Sequence, residues 1–182
     1  MRIRHICYPV RVLGPGERVG IWVAGCSLGC PGCMTPELQN PASGRELDPG
    51  EIVRLISQSA AAVDGITVSG GEPFDQPQQL RLLVQLLRGQ VTEDIIVYSG
   101  YTLQQLRDRG CPDTDAVLDA IAVLIDGPYV EERNDGKGLR GSSNQRIHIF
   151  RDPGRYRYME DCPRQLQVFH YANASSLMVG LL

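Results

Sequence analysis

Val19-Gly20-Ile21-Trp22-Val23-Ala24-Gly25-Cys26-Ser27-Leu28-Gly29-Cys30-Pro31-Gly32-Cys33 joins a short apolar run directly to three cysteines. The run is rich in β-branched and aromatic residues, which suit a pleated, buried position. It reads as a buried strand from Val19 to Ala24, ending at Gly25 with a cysteine loop behind it. Downstream, apolar runs alternate with amphipathic ones. Asp48 to Val63 is expected to be a helix, capped by Asp48, with Pro49 in its first turn and Ile52, Val53, Leu55, Ile56 and Ala60 at helical spacing. Ile66 to Val68 is the next strand, closed by Ser69, Gly70 and Gly71. A helix over Pro77 to Leu87 then precedes a strand over Ile95 to Tyr98, which ends at Ser99 and Gly100. Thr102 to Arg109 and Asp115 to Ala120 are short helices, and Ile121 to Ile125 is a strand ending at Asp126 and Gly127. Arg146 to Phe150 is a fifth strand, and Leu166 to His170 with Ser176 to Val179 forms a terminal hairpin or edge addition.

Repeated strand, loop and helix units imply an α/β fold with right-handed crossovers, whose chemistry collects at the C-terminal ends of the strands. Too few units are present to close an eight-stranded barrel. The expectation is an open, partial (β/α) barrel of about four to six mostly parallel strands, with the cysteine loop after the first core strand. Its concave side would be finished by a partner or substrate. One domain over residues 1–182 is expected, with residues 152–182 as a C-terminal extension that adds edge strands.

At 182 residues and 42% hydrophobic, the chain can bury one sizeable core. The net charge is only -3 and the basic residues are spread out, so neither nucleic acid nor a polybasic membrane surface is expected as the main partner. Met1 to Val12 mixes Arg2, Arg4 and Arg11 with short apolar pieces, unlike a signal peptide. No stretch is long enough to span a bilayer, so a cytoplasmic location is expected, where thiols stay reduced. Cys26, Cys30 and Cys33 cluster while Cys7, Cys111 and Cys162 are scattered, which is a site plus single thiols and no disulfide framework.

A cubane cluster needs four ligands, so the CxxxCxxC spacing of Cys26, Cys30 and Cys33 would leave one iron of a [4Fe-4S] cluster open. The competing reading is zinc on the same cysteines, with His5, His148, His170 or a distant cysteine as fourth ligand. Gly70-Gly71-Glu72-Pro73 is by itself only a turn. No Ser-His-Asp or Cys-His arrangement stands out, and none is needed if a bound cofactor carries the chemistry.

CxxxCxxC followed by Ser69-Gly70-Gly71-Glu72-Pro73 resembles the radical S-adenosylmethionine (SAM) superfamily. Tyr98-Ser99-Gly100-Tyr101-Thr102, Asp126-Gly127-Pro128-Tyr129 and Arg140-Gly141-Ser142-Ser143-Asn144-Gln145-Arg146 narrow this. With them, most of the chain resembles the activating proteins of glycyl radical enzymes, above all those of anaerobic ribonucleotide reductase. The superfamily commonly carries an aromatic residue where Gly32 stands, whereas the reductase activators often carry glycine there. The resemblance implies that the open iron chelates SAM and that Gly70, Gly71 and Glu72 receive its ammonium. It places Ser99, Gly100 and Asp126 at further SAM contacts. Arg140 and Arg146 either neutralise the SAM carboxylate or cap helix ends, and Tyr98, Tyr101 and Tyr129 either stack in the pocket or merely pack at its rim.

By the same resemblance, the reaction is reductive cleavage of SAM to a 5'-deoxyadenosyl radical. The implied partners are a glycyl radical protein of the anaerobic reductase type and an electron donor such as flavodoxin or ferredoxin. In the short reductase activators the chain ends soon after the Arg140 to Arg146 motif. The tail from Asp152 therefore keeps open a second hydrogen donor, a peptide or small metabolite. A non-catalytic iron-sulfur or zinc module is the third alternative.

Overall fold

The computed structural model describes residues 1–59, 62–170 and 175–181. In chain order the elements are β1 (Arg2–Val10), β2 (Arg18–Val23), β3 (Arg45–Glu46), α1 (Pro49–Ser59), β4 (Gly65–Gly70), α2 (Pro77–Gln90) and β5 (Ile95–Tyr98). They continue with α3 (Leu103–Asp108), α4 (Pro112–Ala120), β6 (Val123–Asp126), β7 (Arg146–Ile149), α5 (Pro153–Tyr156), β8 (Leu166–His170) and β9 (Ser176–Gly180). The α/β class is as expected. Ala60, expected in the first helix, lies outside the described residues, and Val63 falls beyond the end of α1.

The main sheet has seven strands in the order β3-β1-β2-β4-β5-β6-β7, more than the four to six expected. Its centre, β2-β4-β5-β6, is parallel throughout, with Ile21 opposite Val68, Val68 opposite Val97 and Val97 opposite Leu124. The outer strands β1, β3 and β7 are antiparallel. Parallel neighbours need a long crossover, usually a helix. Residues 127–145 hold only a short 3-10 turn at Glu131–Arg133, so β7 returns beside β6 in the opposite sense. Strand β1 is hard to read from sequence because exposed Arg2 and Arg4 alternate with buried Ile3, the pattern of a half-solvated strand and not of a core one.

Parallel strands are apolar on both faces, and both must be covered. One face carries the helices. Ile52 and Ile56 of α1, Leu80, Leu83 and Leu87 of α2, Leu106 of α3 and Val117 of α4 pack with Ile21, Ile66, Val68 and Leu124. The other face was expected to await a partner; the chain covers much of it itself. Leu139, Tyr156 and Met159 close over Ile96, Val123 and Ile125, and Val179, Phe169 and Leu177 close over Cys7, Val10 and Leu13. Strands β8 and β9 make a separate two-stranded hairpin, as their alternation suggests, and do not add to the edge of the main sheet as expected of residues 152–182, because they pair only with each other.

At the N-terminal end of the parallel strands, the fully buried Arg18 crosses the sheet. Its guanidinium donates to Thr67 Oγ1 (2.7 Å), the Ile66 carbonyl (2.7 Å) and Asp94 Oδ1 (2.8 Å). The second Asp94 oxygen accepts from Arg155 Nε at 2.8 Å, tying α5 to the sheet.

Candidate functional site

Strands β2, β4, β5 and β6 end side by side, and their following loops enclose a cleft of about 200 Å³. Cys26, Cys30 and Cys33 line it from the β2 loop, Gly70, Gly71 and Glu72 from β4, Ser99 and Gly100 from β5, and Gly127 and Tyr129 beyond β6. Residues separated by a hundred positions thus meet at the strand ends, the usual place for ligands in parallel sheets.

The cysteine loop is fastened through its backbone. Gly25 N donates to the Leu38 carbonyl (2.8 Å), Cys26 N to Gln39 (3.1 Å) and Glu72 N to Gly25 (2.8 Å). Gly25, Gly29 and Gly32 all have positive φ, at 97°, 59° and 67°. The left-handed backbone that winds the three thiols toward one side therefore requires glycine there. On the outer side of the loop, Ser27 N donates to Asp75 Oδ2 (2.8 Å) and Tyr101 Oη to Asp75 Oδ1 (2.9 Å). The Arg109 guanidinium stacks 3.6 Å from the Tyr101 ring centroid. Tyr101 thus braces the loop from outside, whereas Tyr98 and Tyr129 line the cleft.

The two glycines after β4 have a steric reason. A Cβ on Gly71 would lie 2.2 Å from the Gly25 carbonyl oxygen, and one on Gly70 would lie 2.4 Å from that of Val23. Both contacts are to backbone, which cannot swing aside. Gly71→Ala is accordingly expected to cost about 1–3 kcal/mol, the scale of overpacking. A fall of several degrees in the melting temperature, together with reduced iron uptake on reconstitution, would be the readout. An unchanged melt would show that the two loops separate freely.

Glu72 is fully buried. Its Oε1 accepts from Phe74 N (2.9 Å) and Ser99 Oγ (3.0 Å), and its Oε2 from Gly100 N (2.7 Å). The carboxylate therefore ties the β4 end to the β5 end. Burial pushes its pKa up to about 7, against the opposing pull of these donors. Because the folded chain holds this proton more tightly than the unfolded one, stability is fullest below the ordinary carboxylate range and is lost as pH rises through about 7. Before cluster loading, the melting temperature is expected to fall between pH 5 and pH 8, and Glu72→Gln to flatten that slope. Equal slopes in the two proteins would refute the assignment.

Three of the residues weighed as SAM contacts, Asp126, Arg140 and Arg146, lie outside the cysteine cleft. Asp126 turns away from the cysteine cleft into a neighbouring one, where its Oδ2 accepts from Leu103 N (2.5 Å) and lies 2.9 Å from His148 Nε2. Its position in the chain marks the right strand end, but strand alternation sends its side chain to the helical side. Arg146 lines that same second cleft, and Arg140 pairs with Asp135 at 3.0 Å. Neither lines the cysteine cleft. Gln145, not singled out from the sequence, does: its Oε1 accepts from Gly141 N (2.7 Å) and its Nε2 donates to the Gly127 carbonyl (2.7 Å). Its only sequence signal is membership of the Arg140 to Arg146 motif.

The donor set fits a cluster. Burial raises the Cys26 thiol, while backbone N–H groups of Leu28 and Gly29 favour its thiolate. His5, His148 and His170 do not line the cleft, nor do Cys7, Cys111 and Cys162. Three thiols lining one cleft match the ligand number of a cubane with one open iron.

The fold and cleft together define an α/β protein with one cysteine-lined centre at its strand ends. Residues 12–148 match the family model of the 4Fe-4S single cluster domain. The chain is 35% identical over 156 residues to the anaerobic ribonucleoside-triphosphate reductase-activating protein of Vibrio cholerae, covering 80% of this chain and 97% of that one. It is 35% identical to the protein of the same name from Escherichia coli K12, covering 81% and 98%, and 30% identical to that of phage T4, covering 75% and 86%. The chain therefore belongs to the 4Fe-4S single cluster domain family, among the anaerobic ribonucleoside-triphosphate reductase-activating proteins. No helix among the described residues is long and apolar enough to cross a membrane.

Proposed function

We propose that this protein is a radical SAM activase that installs a glycyl radical on an anaerobic ribonucleotide reductase. The observation that carries the reading is the meeting of three thiols with Gly70, Gly71, Glu72, Ser99 and Gly100 in one cleft. Cys26, Cys30 and Cys33 hold a [4Fe-4S] cluster, leaving one iron for SAM. Bound there, the cluster would supply the single electron for reductive cleavage of SAM, and so the hydrogen-abstracting chemistry that a glycyl radical on the partner requires.

The chain's own residues position and enclose. Gly70 and Gly71 have no side chain to bar a ligand from the β4 end. The Glu72 carboxylate, once ionised, stabilises a nearby ammonium, and a bound ammonium in turn lowers its pKa. Ser99 and Gly100 are held in place by that same carboxylate. Leu28 lies against Gly100, where a Cβ would meet its Cδ1 at 2.3 Å, and with Leu13 and Trp22 it gives the cleft an apolar lining. A one-electron donor of flavodoxin or ferredoxin type completes the scheme.

The test is anaerobic reconstitution with iron and sulfide, then dithionite, SAM and the reductase. Release of 5'-deoxyadenosine by mass spectrometry and a glycyl radical in the reductase's EPR spectrum are expected. A reduced cluster that leaves SAM intact with the reductase present would refute the proposal.

A further inference from the structure

The wall of the cleft facing the strand-end loops comes from a part of the chain outside the family match. That match ends at residue 148, yet Met178, Val179, Gly180 and Leu181 line the cleft together with the three cysteines. The hairpin is firmly held. Val179 is buried against Val10 and Leu13, and the Gln167 side chain bridges the Pro9 carbonyl (2.7 Å) of the first strand and Arg11 N (3.0 Å) just beyond it. The nearly buried Arg164 side chain donates to the carbonyls of Gly138 and Gly141, the latter itself at the cleft.

Met178 differs from its neighbours in being 54% exposed while also lining the cleft. Val168 stands directly opposite it across the hairpin, and Leu166 is the next outward residue of β8, at 48% and 47% exposure. An apolar ribbon thus runs from the outer face of the hairpin into the mouth of the reaction cleft, without a packing role to explain it. On the activase reading, charge recognition falls to Glu72. The β9 wall offers an aliphatic and backbone surface that suits an extended polypeptide rather than a zwitterionic cofactor.

We infer that Met178 is a specificity-determining residue, at the lip where the partner's extended, glycine-bearing segment enters the cleft. This rests on the activase reading above. Reconstituted Met178→Glu and Met178→Leu proteins are compared with Leu55→Glu, which puts the same charge on a similarly exposed apolar site of α1. Two readouts are followed: 5'-deoxyadenosine formed without partner, and glycyl radical formed on subsaturating reductase. Met178→Glu is expected to slow radical formation about tenfold or more by raising KM for the reductase, the scale set by pressing an unpaired charge against an apolar partner. Iron and sulfide content and the melting temperature match wild type, which shows that the fold and cluster are intact, and Met178→Leu behaves as wild type. Equal radical formation by Met178→Glu and Leu55→Glu overturns the inference. So does a parallel loss of partner-free cleavage, which would place Met178 against SAM. A wild-type protein that cleaves SAM but leaves the reductase without a radical would instead overturn the activase reading, and the role of Met178 with it.

Discussion

Cys30→Ala, reconstituted anaerobically beside the wild type, is expected to yield no 5'-deoxyadenosine above background and to lose most of its visible charge-transfer absorbance. A cubane already one protein ligand short would then be held by two thiolates. Loss of an outer-shell partner alone costs metal sites about ten- to a hundredfold, and loss of a direct ligand exceeds that. Cys30 is half-buried at the cleft and packs against no core cluster, so the substitution disturbs the chemistry and spares the fold. Cys111→Ala provides the contrast, since that thiol precedes α4 and lies away from the cleft; its iron, sulfide and SAM turnover should match wild type. Full iron content and turnover in Cys30→Ala would reject the ligand assignment outright.

Asp94→Ala is expected to produce the largest loss of stability outside the cleft, about 3–5 kcal/mol by chemical denaturation, because it strands a buried guanidinium without its counter-charge. Arg18 is fully enclosed, and Asp94 is the carboxylate paired with it, at 2.8 Å. Thr67 and the Ile66 carbonyl still accept hydrogen bonds from Arg18, which holds the cost toward the lower end of that range. Arg155→Ala removes the other partner of Asp94 but leaves no buried charge unpaired. Its side chain is 40% exposed, so less than about 1 kcal/mol is expected. Equal losses in the two variants would show that stranding the Arg18 guanidinium is not what makes Asp94→Ala costly. The pair sits at the N-terminal end of the strands and the cleft at the other, so SAM cleavage per folded molecule should be unchanged in both.

Much of the architecture is legible in the residues. Strand β5 has the bounds expected from its apolar run, Ile95–Tyr98, and the hairpin of β8 and β9 falls where its alternation places it. The three cysteines follow the first parallel strand as expected, and five of the six expected SAM contacts line the same cleft with them. Asp126 does not, because adjacent residues of a strand point to opposite faces, and which face is inward depends on neighbours far along the chain. The direction of β7 is hidden for a related reason: the alternating tetrapeptide Arg146–Ile149 specifies a strand but not its partner's orientation.

What the sequence alone determined, then, is what depends on near neighbours: the strand–loop–helix periodicity, the thiol spacing, and the glycines that permit a left-handed loop around it. Only the tertiary structure decided what distant segments do to one another. It turned the Glu72 carboxylate onto Ser99 and Gly100, paired Arg18 with Asp94, and folded Met178 back over a cleft that opens about 150 residues earlier. The physical reason is that burial and desolvation belong to the assembled sheet. A lone Arg18 or Glu72 in a sequence carries the same charge wherever it falls, and only packing determines whether that charge is buried, shared or free.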